Sequence, residues 1–309
     1  MKILITGNTG TIGTALVEKL IEEHEVVGID KKELLFSHDN DNFKQVYLNL
    51  LDDDCFKDLN EKDFGACIHL AANPLVRKSV ENPSLAFENV IMTSKVLEFC
   101  RINNIKNVMV ASSREIYGNQ FKVKKCEDDV NINGCESPYA ASKFYLEAIS
   151  QSYKNCYDMN IVIMRYSNVY GKYDFSDRLI PNAMRALLDN KDFEVYGEDK
   201  SLDFTYLDDA VDATISLLNN INALNYNVYN IGSGKSTSIF NVVDMIKQFI
   251  KSKSIIKITE SHKGEVLKYT ADISRLKFDV NYVPKIDIIR GLAKTVDYYQ
   301  NYFNKEKWV

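Results

Sequence analysis

Short runs of β-branched and apolar residues alternate with longer amphipathic stretches through the first half of the chain, and this alternation sets the narrowest limit on its fold. KILIT (2–6), EVVGID (25–30), FKQVYL (43–48), ACIHLA (66–71), KNVMVAS (106–112) and NIVIMRY (160–166) read as strands. Residues 11–23, 54–61, 83–103 and 137–158 read as the helices between them. This order predicts an α/β fold, a doubly wound parallel sheet of the Rossmann-like kind with helices on both faces. In 83–103, Ala86, Val90, Ser94, Leu97 and Cys100 make a small or apolar stripe, with Glu88, Lys95 and Glu98 on a polar side. Ile91 and Phe99 fall outside that stripe.

After about residue 170 the pattern loosens. LIPNAMRALL (179–188) reads as a helix, FEVYG (193–197) as a short strand before a polar turn, and DFTYLDDAVDATISLL (203–218) as a strand running into a helix. NVYNIG (227–232) reads as another buried strand, followed by helices near 238–250 and 286–301 around a strand at 255–259. The expected organisation is a first domain over 1–170, to which 203–232 returns, and a smaller C-terminal α/β lobe over 171–309.

With 309 residues and an apolar fraction of 45%, the chain can bury roughly three quarters of its unfolded surface. Its 38 basic and 43 acidic residues give a net charge of −5, and the lysines are scattered, which argues against a nucleic-acid surface. No run of 18 apolar residues is present and the N-terminal apolar run is short, so neither a membrane span nor a secretory signal fits, and a cytoplasmic location is expected. The six cysteines form no CxxC pair and the four histidines no HxxxH, so no metal site or disulfide framework is indicated.

Gly7, Gly10 and Gly13 follow the first strand in GNTGTIG and open a helix. Glycine permits a tight turn and lets a pyrophosphate approach the N–H groups and positive dipole end of that helix, although it also serves ordinary strand-to-helix turns. Asp30 ends the second strand 20 residues after Gly10, where a carboxylate can accept from adenosine ribose hydroxyls and repel a 2′-phosphate. This favours NAD over NADP, with Lys31 and Lys32 beside it acting against the argument. The 1–170 domain is therefore expected to bind the dinucleotide.

Tyr139 and Lys143, in SPYAASK, lie four apart on one helix face. A lysine ammonium beside a phenol favours the phenolate, and such a tyrosine exchanges a proton with a substrate hydroxyl. Ser113 ends the strand VMVASS, at the sheet edge where open α/β folds bind ligands, and its hydroxyl can meet the same oxygen.

These residues resemble the extended short-chain dehydrogenase/reductases, in particular the NAD-dependent nucleotide-sugar epimerase/dehydratase group. The likeness runs in order through GNTGTIG, GID, HLAA (69–72), Asn89, ASSREIYG (111–118), YAASK, RYSNVYG (165–171), LIPNAMRAL, DFTYLDDAVDA, NIGSGKSTS and KGEVLKYTAD. It implies a catalytic Ser113, Tyr139 and Lys143, with Glu115 as a further acid or base. It implies an NAD site of Gly7, Gly10, Thr11, Ile12, Gly13, Asp30, Asn49, Leu50, Leu70, Ala71, Ala72, Asn89 and Ala111 together with Tyr139 and Lys143. Asn168, Arg178, Leu179, Tyr196 and Tyr269 would lie on the nucleotide-sugar side. The group oxidises a sugar hydroxyl by hydride transfer to NAD and returns the hydride to the other face, or eliminates before the return. A homodimer through helices such as 83–103 and 137–158 is expected from the same resemblance.

The chain departs from the group in two places. Dehydratase-type relatives resemble Thr-Asp-Glu where this chain has Ser113-Arg114-Glu115, and arginine cannot donate the proton of the missing aspartate, which favours epimerase and leaves dehydratase or decarboxylase as alternatives. Arginines that commonly meet the substrate diphosphate are replaced by Leu202 and His262, leaving Arg178, Lys172 or Lys263 to supply charge. GKS at 234–236 resembles a phosphate loop, but Tyr229 stands where that loop needs glycine. A dehydrogenase or ketoreductase with net cofactor turnover, and a non-catalytic NAD-binding regulator, are the remaining readings.

Overall fold

A computed structural model describes residues 1–36, 38, 40–120 and 122–305. β1 (Lys2–Thr6), α1 (Thr11–Leu20), β2 (Glu25–Asp30), β3 (Phe43–Tyr47) and β4 (Ala66–His69) open the chain. They are followed by α2 (Val76–Glu81), α3 (Ser84–Ile102), β5 (Asn107–Ser113), a short 3₁₀ helix over Arg114–Tyr117 and β6 (Lys124–Lys125). α4 (Pro138–Tyr157), β7 (Asn160–Tyr166), β8 (Asn168–Tyr170), α5 (Leu179–Leu188), β9 (Phe193–Tyr196) and β10 (Ser201–Tyr206) come next. α6 (Leu207–Asn219), β11 (Val228–Ile231), β12 (Ser236–Ser238), α7 (Ile239–Ile250), β13 (Ile256–Thr259), β14 (Thr270–Ala271), α8 (Ser274–Val280) and α9 (Ile288–Lys305) complete it.

Seven strands form one parallel sheet in the order β11-β7-β5-β4-β1-β2-β3. Alternate residues of each strand face opposite sides. Ile3, Ile5, Ile68 and Met164 pack under Leu16 and Leu20 of α1 and Val211 and Leu217 of α6. Leu4, Val27, Cys67 and Val110 pack under Val96, Leu97 and Cys100 of α3 and Leu146 of α4. Both faces are covered, which is why these strands read as continuous apolar runs rather than as alternating ones. A third core joins β10 to α5, α7 and α9 through Phe204, Met184, Val243 and Val296. Among the described residues no helix is long and apolar enough to cross a membrane.

The chain steps from β1 outward to β3 and then returns to β4 on the other side of β1, so the sheet reverses direction between β1 and β4. Ligands of open α/β sheets bind at the strand C-termini of such a reversal. β10 pairs in parallel with β8 and antiparallel with β12, whereas β11 returns to the large sheet beside β7.

Two local expectations are corrected. Residues 54–58 form turns and 59–61 are irregular where a helix is expected; Asp54 takes a left-handed backbone (φ 50°), and Leu59 still reaches the core. On α3 the buried face runs through Ala86, Asn89, Thr93, Val96, Leu97 and Cys100, while Val90 and Ser94 sit at its margin. Asn89 and Thr93 are buried because their polar groups are satisfied there, a condition invisible to an apolar pattern. Phe99, outside the expected stripe, stacks on Phe56 at 4.2 Å, whereas Ile91 is exposed.

Candidate active site

The glycine turn sits in the crevice between β1 and β4. Gly7 is left-handed (φ 76°), and a Cβ there would lie 2.6 Å from the Ala71 backbone nitrogen. A Cβ on Gly13 would lie 2.3 Å from the Gly7 carbonyl oxygen. α1 begins at Gly10 with no capping side chain and no acid in its first turn, leaving its leading N–H groups and dipole available to an anion. Asp30, at the end of β2, accepts from the N–H groups of Lys32 (3.0 Å) and Thr9 (3.4 Å), which places its carboxylate beside the glycine turn. These features fit the pyrophosphate and adenosine ribose of NAD.

The other expected cofactor residues lie around the same strand ends. Leu70, Ala71 and Ala72 directly follow β4, and the Asn89 amide accepts from Asn73 N–H (2.7 Å) and donates to Ser142 (3.3 Å), fastening that loop to α4. Asn49 and Leu50 follow β3, where Leu48 N–H bonds to the Asp30 carbonyl (3.0 Å). Thr11 donates to the Tyr173 carbonyl (3.3 Å), Ile12 packs on the sheet core, and the Ala111 carbonyl accepts from Lys143 Nζ (2.8 Å). Asn8 was not singled out by the sequence. It is buried, donates to Gln45 Oε1 (2.6 Å) and lies where a Cβ on Gly28 would come within 2.4 Å of its amide. A glycine inside an otherwise apolar strand was the available signal. Gly13→Ala must push the turn open, and at least a tenfold weaker affinity for NAD is expected in a fluorescence titration; unchanged affinity would remove the turn from the cofactor site.

The sequence SPY sets the start of α4. Ser137 caps it by accepting from Ala140 N–H (3.1 Å) and Pro138 occupies the first turn. Tyr139 follows, its N–H donating to Ser79 Oγ (3.2 Å). Ser113 ends β5 and its hydroxyl favours the Tyr139 phenolate, and Lys143 Nζ lies 5.7 Å from the centroid of the tyrosine ring. All three side chains are buried. The expected lowering of the phenol by Lys143 is not found. Burial pushes Tyr139 up to about 12, against the opposing effect of the Ser113 hydroxyl. Burial also lowers Lys143 to about 8, with Glu147 holding it up. His69, behind them, is lowered to about 3 by burial and then by Lys143, and meets Thr6 (2.7 Å) and Thr93 (3.2 Å).

The depressed lysine links stability to pH. Between about 8 and its ordinary 10.5 the unfolded chain holds a proton on Lys143 that the folded chain has released, so this group adds stability as pH rises through that window and loses it as pH falls through about 8. Urea unfolding at the two ends of the window should show that rise in the native sequence and a smaller one in Lys143→Met. An identical rise in both would remove Lys143 as its source.

On the proposed substrate side, Asn168 starts β8 with its Oδ1 buried and without a hydrogen bond. Arg178 immediately precedes α5, whose first residue is Leu179, and is held by Ser176 (3.0 Å) and Asp174 (3.4 Å). Tyr269 is fully buried and stacked on Tyr117 (5.6 Å), with the Arg114 guanidinium 5.8 Å from its ring centroid. The charge of Glu115 raises the Tyr139 phenol and those of Arg178 and Arg114 lower it. Tyr196 is engaged instead by His262 (stacked, 4.3 Å) and Glu194 (2.8 Å). Leu202 is buried, and Lys172 is paired with Glu18 of α1 (2.7 Å).

GKS at 234–236 has a physical reason not to hold phosphate. The N–H groups of Ser233 and Gly234 are taken by the buried Asp203 carboxylate (2.8 and 2.9 Å).

Several known proteins share this architecture along the whole chain. A UDP-glucuronate 4-epimerase from Thermodesulfobacterium geofontis is 30% identical over 311 residues, covering 96% of this chain and 95% of that protein. The UDP-N-acetylglucosamine 4-epimerase of Methanobrevibacter ruminantium M1, solved with UDP-N-acetylmuramic acid, is 30% identical with a TM-score of 0.88 over 97% of this chain and 98% of that one. The UDP-glucuronic acid 4-epimerase of Bacillus cereus, solved with UDP-glucuronic acid and NAD, is 27% identical with a TM-score of 0.87 over 98% of this chain and 100% of that one. Residues 3–232 match the NAD dependent epimerase/dehydratase family, and with the glycine turn at the β1–β4 crevice and Ser113, Tyr139 and Lys143 beside it, the chain belongs to that family.

Proposed function

We propose that the chain is an NAD-dependent epimerase that inverts a hydroxyl-bearing carbon of a nucleotide sugar by transient oxidation to a ketone. The observation that carries this reading is the buried Ser113–Tyr139–Lys143 group at the C-terminal end of β5, beside the glycine cradle. Bound NAD, held at the Gly7–Gly13 turn and Asp30, would supply the hydride acceptor and a positive charge beside the phenol. Tyr139 takes the proton of the sugar hydroxyl on oxidation and gives it back on reduction at the opposite face, while Ser113 hydrogen-bonds the same oxygen and Lys143 favours the phenolate. Because burial holds the phenol well above neutrality, the phenolate depends on positive charge near it: Arg178 and Arg114 already oppose the rise, and bound NAD would add to them.

Epimerisation is favoured over elimination by Arg114. Its guanidinium binds Glu115 Oε1 (2.7 Å), which restrains the carboxylate that an elimination would use as a base and leaves no acid at position 114. The start of α5 at Leu179, with Arg178 beside it, is the part of the lobe suited to the diphosphate. The reading includes a smaller substrate lobe from residue 171 onward and a homodimer through α3 and α4, where Phe87 and Ile91 of α3 are exposed.

Proton NMR of the purified protein with a panel of nucleotide sugars and catalytic NAD tests the proposal. A new isomer without net NADH and without loss of water is expected. Accumulated NADH would indicate a dehydrogenase, a dehydrated product would indicate elimination, and no turnover across the panel would sink the nucleotide-sugar reading.

A further inference from the structure

An aromatic cluster joins three stretches that are distant in the chain. Phe36 lies in the connection between β2 and β3, six residues after Asp30. Its ring centroid is 4.5 Å from that of Tyr173 and 6.2 Å from that of Phe175, both just beyond β8. α9 adds Tyr298, 5.8 Å from Tyr173, and Tyr302, 5.0 Å from Phe175 and 6.4 Å from Phe36. The cluster is fastened to α1. The Tyr173 carbonyl accepts from Thr11 Oγ1 (3.3 Å), its hydroxyl donates to Glu18 (3.2 Å), and Lys172 pairs with the same carboxylate (2.7 Å).

The strand order shows what this contact crosses. β2 and β7 lie on opposite sides of the reversal between β1 and β4, and β8 follows β7 directly. Phe36 comes from the β2 side and Tyr173 from the β7 side, so their meeting bridges the crevice. Thr11 opens α1, so its bond to Tyr173 sets the bridge at the helix head whose N–H groups are available to an anion. Tyr173 also holds a left-handed backbone (φ 67°), which bulky side chains seldom adopt; among the described residues the other non-glycine residues with positive φ are Asp, Asn or Lys. Such strain persists where the surroundings over-determine it, and it gathers at clamps and switches.

We propose that Phe36 and Tyr173, backed by α9, form a clasp that must part before NAD leaves the crevice, so that the rings set the rate of cofactor release. The clasp concerns the cofactor alone and holds whichever sugar is the substrate. Its use follows from returning a hydride to the molecule that gave it: NADH that escaped between the two transfers would strand a ketone.

The test measures release directly. Protein loaded with NADH is mixed with excess NAD, and the decay of bound-NADH fluorescence gives the dissociation rate. Phe36→Ala and Tyr173→Gly should each speed release about tenfold, the glycine keeping the left-handed backbone while removing the ring. Phe36→Tyr, which retains a ring, should stay within about twofold of the native rate. Phe99→Ala removes a comparable stack, on Phe56 at 4.2 Å in the core under α3 and α4, and should leave release unchanged. Native rates in both ring-deleted variants overturn the clasp. Equal acceleration by Phe99→Ala overturns it too, because general loosening would then account for the effect. If the native protein takes up no NADH, the cofactor site fails and the clasp fails with it.

Discussion

Tyr139→Phe is expected to lower kcat by about 10² to 10⁴, the usual contribution of a positioned acid–base group, while leaving NAD affinity and thermal stability close to those of the native sequence. The change removes one hydroxyl. Ser113 keeps its own role in accepting from Glu115 N–H (3.2 Å), so the end of β5 has no reason to rearrange. The ring itself remains to fill its buried site at the start of α4. Ser113→Ala should cost less than the tyrosine change, because it removes a hydrogen bond to the reacting oxygen and not the proton carrier. Single-turnover and steady-state rates on whichever nucleotide sugar the panel identifies provide the measurement. A Tyr139→Phe protein that still turns over at more than a tenth of the native rate would mean that another group moves the proton.

The fold was legible because its strands are buried on both sides. Runs such as KILIT and NIVIMRY have no polar face to confuse with a helix, and Gly and Asp punctuate their ends. The helix at Leu179–Leu188 was read to the residue because its apolar positions recur on one face. Tyr139 and Lys143 could be placed because Ser-Pro announces a helix start and fixes their phase. What stayed hidden depends on partners distant in sequence. Nothing local shows that Asp203 reaches Ser233 and Gly234 and so disarms GKS, or that Asn8 lies over Gly28. The pairing of Arg114 with its neighbour Glu115 could be written down from the sequence, but not the burial that leaves one atom of each unmatched. The direction of the Tyr139 shift was misread for the same reason, since spacing reports the nearby lysine and is silent on desolvation.

Arg165→Met should destabilise the fold by about 3–5 kcal/mol, as expected when one partner of a buried ion pair is removed. Arg165, on β7, is 4% exposed and grips Glu147 of α4 with Nε (2.9 Å) and Nη2 (2.7 Å). Its Nη1 donates to the Tyr117 hydroxyl (2.9 Å) and to the Glu127 carbonyl (2.7 Å). Tyr117 in turn donates to Asn230 on β11 (2.7 Å), so one guanidinium ties α4, β7, β11 and the 3₁₀ helix after Ser113 together. Without it, Glu147 keeps the Ser112 hydroxyl (2.5 Å) as a hydrogen-bond donor but loses the cation it was paired with. The double variant Arg165→Met/Glu147→Met should therefore recover part of the loss, and urea unfolding of the four proteins in the cycle measures the coupling. Additive losses would show that the pair is not what holds these elements. The same carboxylate also serves the site: it lies one turn after Lys143 and opposes the lowering of that lysine. Glu147→Gln should accordingly drop Lys143 further below its ordinary value, reducing its charge near neutral pH and the support it is proposed to give the Tyr139 phenolate. Turnover of Glu147→Gln should fall at pH 7 and partly recover toward pH 6, where the lysine regains its proton; a loss independent of pH would assign Glu147 to packing alone.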